Sequence, residues 1–357
     1  MATSSEIEAA YGANQERYEA QRPNEGAIVK TSLKAVSMNL GLLQSPSEVP
    51  NFDQRSRLLS EQLGWFLKTG SPDVMFLQEA WDDNPDNIIT IRETAKSNGY
   101  LSVQELFEKT KAYESSQSRN GLDILVKQSA LSTEVGVSKT TFSSISKSLL
   151  ATLGGYDRGV LHTQLKLSNG QTLLIATSHF TPNLAKPTYN QDDTRRKQAK
   201  QASEIIKTAG ADTDFVIFGG DLNFSPEFEH KVTDGRKSDA RDSVWEGSTK
   251  SYPILLEESL LIDSYKVINA DKGYTQDRAL NPMSNVSPST DGEPEQRLDY
   301  IWVGSYKNNA HLEISNSYFV FNSPLVDQNG DVIQAEDYVG PLFMSDHFGI
   351  ATELSLY

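Results

Sequence analysis

Met344-Ser345-Asp346-His347-Phe348-Gly349-Ile350 sets a carboxylate directly before a histidine and follows the pair with an apolar residue. This order predicts a buried strand whose edge presents an imidazole at a cleft. The same arrangement recurs along the chain. Gly220-Asp221-Leu222-Asn223 follows the apolar run Phe215-Val216-Ile217-Phe218. Arg297-Leu298-Asp299 opens the run Tyr300-Ile301-Trp302-Val303, and Gln78-Glu79 closes Val74-Met75-Phe76-Leu77. Asn39 ends Ala35-Val36-Ser37-Met38, and His179 ends Leu173-Leu174-Ile175-Ala176-Thr177-Ser178. Each acid, amide or imidazole falls at a strand edge. Strands gathered into one sheet would carry these ends to one face.

Between these runs the chain alternates with helical patterns. Residues 53–69 read as an amphipathic helix with Leu58, Leu59, Leu63, Trp65 and Phe66 on its buried face. Ser71-Pro72-Asp73 ends it. Residues 194–208 read as a second helix, with Arg195-Arg196-Lys197 as its solvated face. Residues 1–30 read as a polar N-terminal extension, partly helical around 5–20, before one domain over 31–357. The turn-rich stretch 274–296 reads as a long loop, which in a compact domain is usually functional.

Bulk properties limit the classes of function. There is no cysteine, so disulfides, thiolate nucleophiles and cysteine-based metal sites are excluded. A net charge of -15 disfavours broad electrostatic binding to DNA or to anionic membrane. Phosphate chemistry is still open to such a chain, because a divalent metal reverses the field inside a cleft. No stretch approaches the roughly 20 apolar residues that span a bilayer. The segment Met1 to Gln21 lacks the apolar core of a signal peptide, so the expectation is a soluble protein, cytoplasmic or exported by another route.

The strand-end residues divide by chemistry. Glu79 is a hard carboxylate suited to Mg²⁺, which keeps several waters and is completed by phosphate; a solvated glutamate is the plain alternative. Asp221 and Asn223 alternate in an extended stretch, so both would point to one side and orient water and phosphate; Gly-Gly-Asp-Leu-Asn is equally good turn chemistry. His347, backed by Asp299 or Asp346, is a candidate general base or electrostatic stabiliser. His179 is a second imidazole at an equivalent edge. His162, His230 and His311 lack that context. Arg158, before the strand from Val160, is a candidate to neutralise phosphate, with a surface arginine as the alternative.

As an ordered set, Ser37-Met38-Asn39, Leu77-Gln78-Glu79, Gly220-Asp221-Leu222-Asn223, Leu298-Asp299-Tyr300 and Ser345-Asp346-His347 resemble the endonuclease/exonuclease/phosphatase superfamily of DNase I-like fold. The resemblance implies a four-layer α/β sandwich, two packed mixed β-sheets flanked by helices. It implies Mg²⁺, with Mn²⁺ or Co²⁺ as substitutes, at Glu79, assisted by Asn39 and Asp346. It implies that Asp221 and Asn223 orient nucleophile and phosphate, that His347 paired with Asp299 activates water, and that His179 stabilises charge on phosphorus.

Within that superfamily the chain looks most like the neutral sphingomyelinases. Leu77-Gln78-Glu79-Ala80-Trp81, Arg158-Gly159-Val160, Ser178-His179 with Tyr189-Asn190, and Asp263-Ser264-Tyr265 with Gly273-Tyr274-Thr275 are similar to their elements. Asp123, Arg158 in place of lysine, and Phe180-Thr181-Pro182-Asn183 depart from them. The implied partner is a phospholipid at a membrane surface, touched through residues 142–156 or the 274–296 loop. A nuclease, or a phosphoinositide or other phosphomonoester phosphatase, would use the same residues. A binding scaffold without activity is disfavoured by the presence of Glu79, Asp221 and His347.

Overall fold

The structure, a computed structural model, describes residues 3–42, 51–80, 85–110, 121–130, 136–141, 158–182, 191–229, 250–286 and 295–357. Trp81, Tyr189-Asn190, His230, the 142–156 stretch and the 287–294 part of the long loop lie outside these residues. Among the described residues, no helix is long and apolar enough to cross a membrane.

The strands are β1 (Thr31–Asn39), β2 (Val74–Gln78), β3 (Tyr100–Ser102), β4 (Asp123–Lys127), β5 (Gly136–Thr141), β6 (Gly159–Lys166), β7 (Thr172–His179), β8 (Phe215–Asp221), β9 (Phe228–Glu229), β10 (Ile262–Asp263), β11 (Glu295–Gln296), β12 (Asp299–Gly304), β13 (Leu312–Val320) and β14 (Gly349–Leu356). They form two six-stranded sheets, ordered β13-β14-β1-β2-β4-β3 and β10-β12-β8-β7-β6-β5, and a short β11-β9 ribbon. Each sheet is mixed. β1 and β2 are parallel, as are β7 and β8, while their other neighbours are antiparallel.

The sheets pack face to face, with β1 and β2 against β7, β8 and β12. Helices cover the outer faces, which explains why the central strands are apolar on both sides. Leu59, Leu63 and Phe66 of the helix Phe52–Thr69 pack with Val36, Met38, Met75 and Leu77 outside the first sheet. Ala199, Ala202 and Ile206 of the helix Gln191–Gly210, with Leu255 and Leu256 of the helix Ser251–Ser259, cover Leu174, Ala176, Val216 and Phe218 outside the second. Two expectations fail here. Trp65 is 63% exposed, and Arg195 is fully buried rather than solvated, its Nη1 donating to the carbonyl of Thr181 at 3.1 Å. A period of 3.6 places residues on a helix face but does not say where the neighbouring sheet ends.

The side-chain period of two in a strand decides what lies between the sheets. Leu33, Ala35, Val74, Phe76, Leu173, Ile175, Phe215, Ile217, Ile301 and Val303 form the inter-sheet core. Continuing by twos along the same strands reaches Asn39, Gln78, Thr177, His179, Asp221 and Asp299. The core therefore changes from apolar to polar at one end of the gap. Gln78 Nε2 donates to Thr177 Oγ1 across it at 3.0 Å.

Gly219 faces the Phe76 ring across the gap between the sheets. A Cβ there would lie 2.3 Å from Phe76 Cδ2, and Phe76 is fully buried. We expect Gly219→Ala to cost about 1–3 kcal/mol by overpacking, read as a lowered denaturation midpoint with an unchanged slope.

Candidate functional site

The polar end of the gap is built from both sheets. Asp221 and Asp299 are register partners on β8 and β12, and Asp221 also faces His179 across the parallel β7–β8 pair. Asn39 reaches over from the first sheet, its Nδ2 donating to Asp221 Oδ2 at 2.9 Å. Its Oδ1 accepts from the Gly41 amide at 2.8 Å, which fixes the rotamer. His347 lies just before β14, and its Nδ1 is 2.8 Å from Asp299 Oδ2. Asp299, not Asp346, is therefore the partner of this imidazole. His179 Nε2 stands 3.3 Å from Asp221 Oδ2 and 3.9 Å from Glu79 Oε1. Asp221, Asp299 and His347 each offer a ligand atom, all within 4.8 Å of one another.

Two of these residues sit in left-handed backbone that side chains other than glycine rarely adopt. Glu79 and Asn223 both have φ 50°. The bend at Glu79 follows β2 directly and turns its carboxylate out of the strand's alternation. The expected extended stretch from Asp221 to Asn223 is not found: β8 ends at Asp221, and the chain turns. The Asn223 amide donates to Asp221 Oδ1 at 3.0 Å, and its side-chain Nδ2 donates to the Phe180 carbonyl at 3.1 Å. Turn chemistry wins over alternation because the aspartate itself captures the following amide. Asp346 accepts from its neighbour Ser345 Oγ at 3.2 Å and acts at longer range on Glu79.

The site is rich in negative charge. Burial, then the charge of Asp346, pushes the Glu79 carboxyl up to about 7. Burial, then Asp299, pushes Asp221 up to about 7. Burial, with Arg158 and His347 adding, drives His179 well below the ordinary histidine value, so its ring is neutral. Burial alone would lower His347 too. The charge and hydrogen bond of Asp299 outweigh it, with Asp346 and Asp221 adding, and hold His347 well above its ordinary value. Arg158 is 4% exposed, so it is no surface arginine. Burial lowers it to about 10. Its Nη1 reaches the His179 carbonyl at 3.4 Å, and its buried Nε has no hydrogen-bond partner.

Several supports carried no signal in the sequence. Arg55, on the helix Phe52–Thr69, is 2% exposed and donates to the carbonyls of Leu40, Gly41 and Met344 at 2.8, 2.6 and 3.4 Å. It ties the loop beyond Asn39 to the loop before His347. Thr275 does the same for the other half. Its Oγ1 accepts from the amides of Leu298 and Asp299, and its carbonyl accepts from the Phe348 amide at 2.7 Å. Asn281 and Ser284 donate to the carbonyls of Ser345 and Asp346. The stretch expected as a long loop thus clamps Asp299 and His347 together, and includes the short helix Met283–Val286. Asp123 is structural: it accepts from Ser102 Oγ at 2.6 Å and from the amides of Gln104 and Ile124, anchoring the helix Val103–Thr110.

The model of the endonuclease/exonuclease/phosphatase family matches residues 51–347. No curated protein matches the chain in sequence. Among solved structures, D. rerio TDP2 complexed with single-strand DNA product is similar at TM-score 0.56 and 21% identity, over 91% of this chain and 100% of that one. Beta toxin 275-280 from Staphylococcus aureus is similar at TM-score 0.56 and 18% identity, over 90% and 99%. An endonuclease/exonuclease/phosphatase family protein from Bacteroides thetaiotaomicron is similar at TM-score 0.55 and 15% identity, over 92% and 98%. These likenesses are of fold.

Asp299→Asn should reduce the upward His347 shift. Without the carboxylate charge, burial is opposed only by the charges of Asp346 and Asp221, and the imidazole pKa should fall from its raised position. Histidine NMR titration in chelator measures this. The linked stability has a definite sign. A raised histidine pKa stabilises the fold fully below about 6.5 and loses that contribution as pH rises through the raised value, a limb that Asp299→Asn should reduce.

Proposed function

The chain belongs to the endonuclease/exonuclease/phosphatase family, and from that premise we propose that it is a metal-dependent phosphodiesterase of phospholipase C type, acting on sphingomyelin or a related phospho-sphingolipid. The observation that carries the chemistry is the buried His347–Asp299 pair at 2.8 Å, beside Asp221 and Glu79 at the polar end of the gap.

The donor set fits a divalent cation. Asp299 Oδ1 is buried without a hydrogen-bond partner, close to two further carboxyls, Glu79 and Asp221, that burial first and neighbouring carboxylates second push up to about 7. Glu79, with Asn39 and Asp346, would hold the ion. The Asp221–Asp299–His347 cluster is the weaker choice, because His347 Nδ1 is already committed to Asp299. When bound, Mg²⁺ supplies positive charge that polarises the phosphoryl oxygen and lowers the proton affinity of the surrounding groups, His347 included.

In this reading His347 Nε2 takes a proton from water while Asp299 holds Nδ1 and stabilises the imidazolium. The water oxygen bonds to phosphorus, the bond from phosphorus to the lipid alcohol oxygen breaks, that oxygen takes a proton from solvent to leave as the free alcohol, and the imidazolium returns its own proton to solvent. Asp221 and Asn223 orient water and phosphate, His179 donates to a phosphoryl oxygen as a neutral ring, and Arg158 neutralises charge behind it. Oriented donors in a site closed to water are worth far more than in solution.

Three things support a lipid substrate: the motif resemblance to neutral sphingomyelinases, the net charge of -15, and exposed aliphatic residues beside the site. Leu280 is 65% exposed next to Asn281, which holds the Ser345 carbonyl. Val339 is fully exposed, and its neighbour Gly340 lies against Pro282. Side chains of this kind at a cleft rim suit contact with a bilayer of zwitterionic headgroups.

The test compares Mg²⁺-dependent hydrolysis of sphingomyelin in mixed micelles with cleavage of plasmid DNA. We expect sphingomyelin turnover, and a loss on the order of 10²-fold or more in His347→Ala. DNA cleavage without lipid turnover would move the protein to nuclease chemistry on the same site. Glu79→Gln should weaken Mg²⁺ binding in calorimetry. Unchanged binding there, with binding lost in Asp299→Asn, would put the ion in the aspartate–histidine cluster instead.

A further inference from the structure

The helix Ser4–Gln21 lies outside the stretch matched by the family model, yet it is joined to the site. Its buried residues are Ile7, Ala10, Asn14 and Tyr18. We infer that Asn14 is a positioning residue for the Asp299–His347 pair. The inference rests on the reading of that pair as the reacting one.

Asn14 is 1% exposed and spends both ends of its amide on the backbone of Asp263. Its Nδ2 donates to the Asp263 carbonyl at 3.2 Å, and its Oδ1 accepts from the Asp263 amide at 2.8 Å. Asp263 belongs to β10, the edge strand of the second sheet. A helical side chain thus satisfies the edge as a neighbouring strand would. The side chain of Asp263 grips Arg297: Nη1 donates to Oδ1 at 3.0 Å, and Nη2 lies 2.8 Å from Oδ2. Both residues are fully buried, and the guanidinium lies over the rings of Tyr300, Tyr265 and Tyr252. Tyr252 donates to Asp263 Oδ2 at 2.9 Å and meets Tyr11 of the helix edge-on at 5.6 Å.

Arg297 precedes Asp299 by two residues. A buried charge pair has no water to relax into, so Arg297 follows Asp263 when that residue moves. The segment 297–299 then moves with it, and Asp299 carries Nδ1 of His347. The contacts are continuous from Asn14 to the imidazole, with no step longer than a hydrogen bond or two peptide units. The geometry of a reacting pair is the property most sensitive to such shifts.

Two variants of one helix separate positioning from simple docking. Asn14→Ala removes the contacts to Asp263. Arg17→Ala removes the contacts of Arg17 Nη1 to the carbonyls of Leu256 and Leu261, just short of β10, and leaves every contact of Asp263 itself in place, which makes it the stricter comparison. In protein with nitrogen-labelled histidine, the Nδ1–H proton of His347 is the downfield resonance lost in His347→Ala. It should shift and broaden in Asn14→Ala and stay in place in Arg17→Ala, although both melt earlier. On whichever phosphodiester His347→Ala ceases to hydrolyse, Asn14→Ala should lower kcat about tenfold with KM unchanged. Asn14→Ser should do the same to a smaller degree if the alanine variant does not fold. A wild-type resonance and kcat in the Asn14 variants overturns the inference, as does an equal loss in Arg17→Ala. The resonance needs no substrate, so a wrong substrate leaves this test intact. Failure of the site reading would appear separately, as activity retained in His347→Ala.

Discussion

Packing of two sheets across one shared gap is the constraint on which everything else here depends. Phe76 lies on Gly219 in the middle of it, where a single added carbon has no room. Because side chains alternate strictly along a strand, the residues that build this core and the residues that build the site are the same series, read further along the chain. Ile217 leads to Gly219 and then to Asp221; Ile175 leads to Thr177 and then to His179. A slip of one residue in any central strand would turn its polar strand-end side chain toward the covering helices. Register, core and site are thus one specification.

The polar end of the gap is held in a state that a purely structural core would avoid. Four carboxylates, Glu79, Asp221, Asp299 and Asp346, act on one another there, and Glu79 and Asn223 occupy backbone of the kind that costs energy to maintain. The surrounding network over-determines them. Arg55 and Thr275 each bind backbone from two separate segments, and Asn39 spans the sheets. The charge and the strain are offset by the hydrogen bonding around them.

The strand-end residues were legible because each carries two signals, an apolar run and a polar terminus, and the runs announce the sheets. Partners across the chain were not. The residue pattern by itself does not distinguish Asp299 from Asp346 as the partner of His347, because the choice depends on β12 and β14 lying in different sheets; only the family resemblance pointed to Asp299. Arg55 and Arg195 look like solvent-facing charges in a helix, since a sequence does not show the carbonyls waiting under the helix. Asn14 is hidden in a polar, acidic segment whose only apolar stripe is short. Asn223 illustrates a local competition: a short polar side chain at position 221 captured the chain and ended the strand, which periodicity does not register.

The place of β14 has a consequence for synthesis. This strand lies between β13 and β1, with Thr31 opposite Leu356. It comes after every other described strand, so on the ribosome the first sheet stays split, with β1 lacking one neighbour, until β14 emerges. His347 is translated just before it. The growing chain therefore holds an open strand edge until residues 349–356 are made, and it gains the His347 imidazole and the closure of its sheet together. A cell making this protein would have to shield that edge from pairing with other chains until β14 is made.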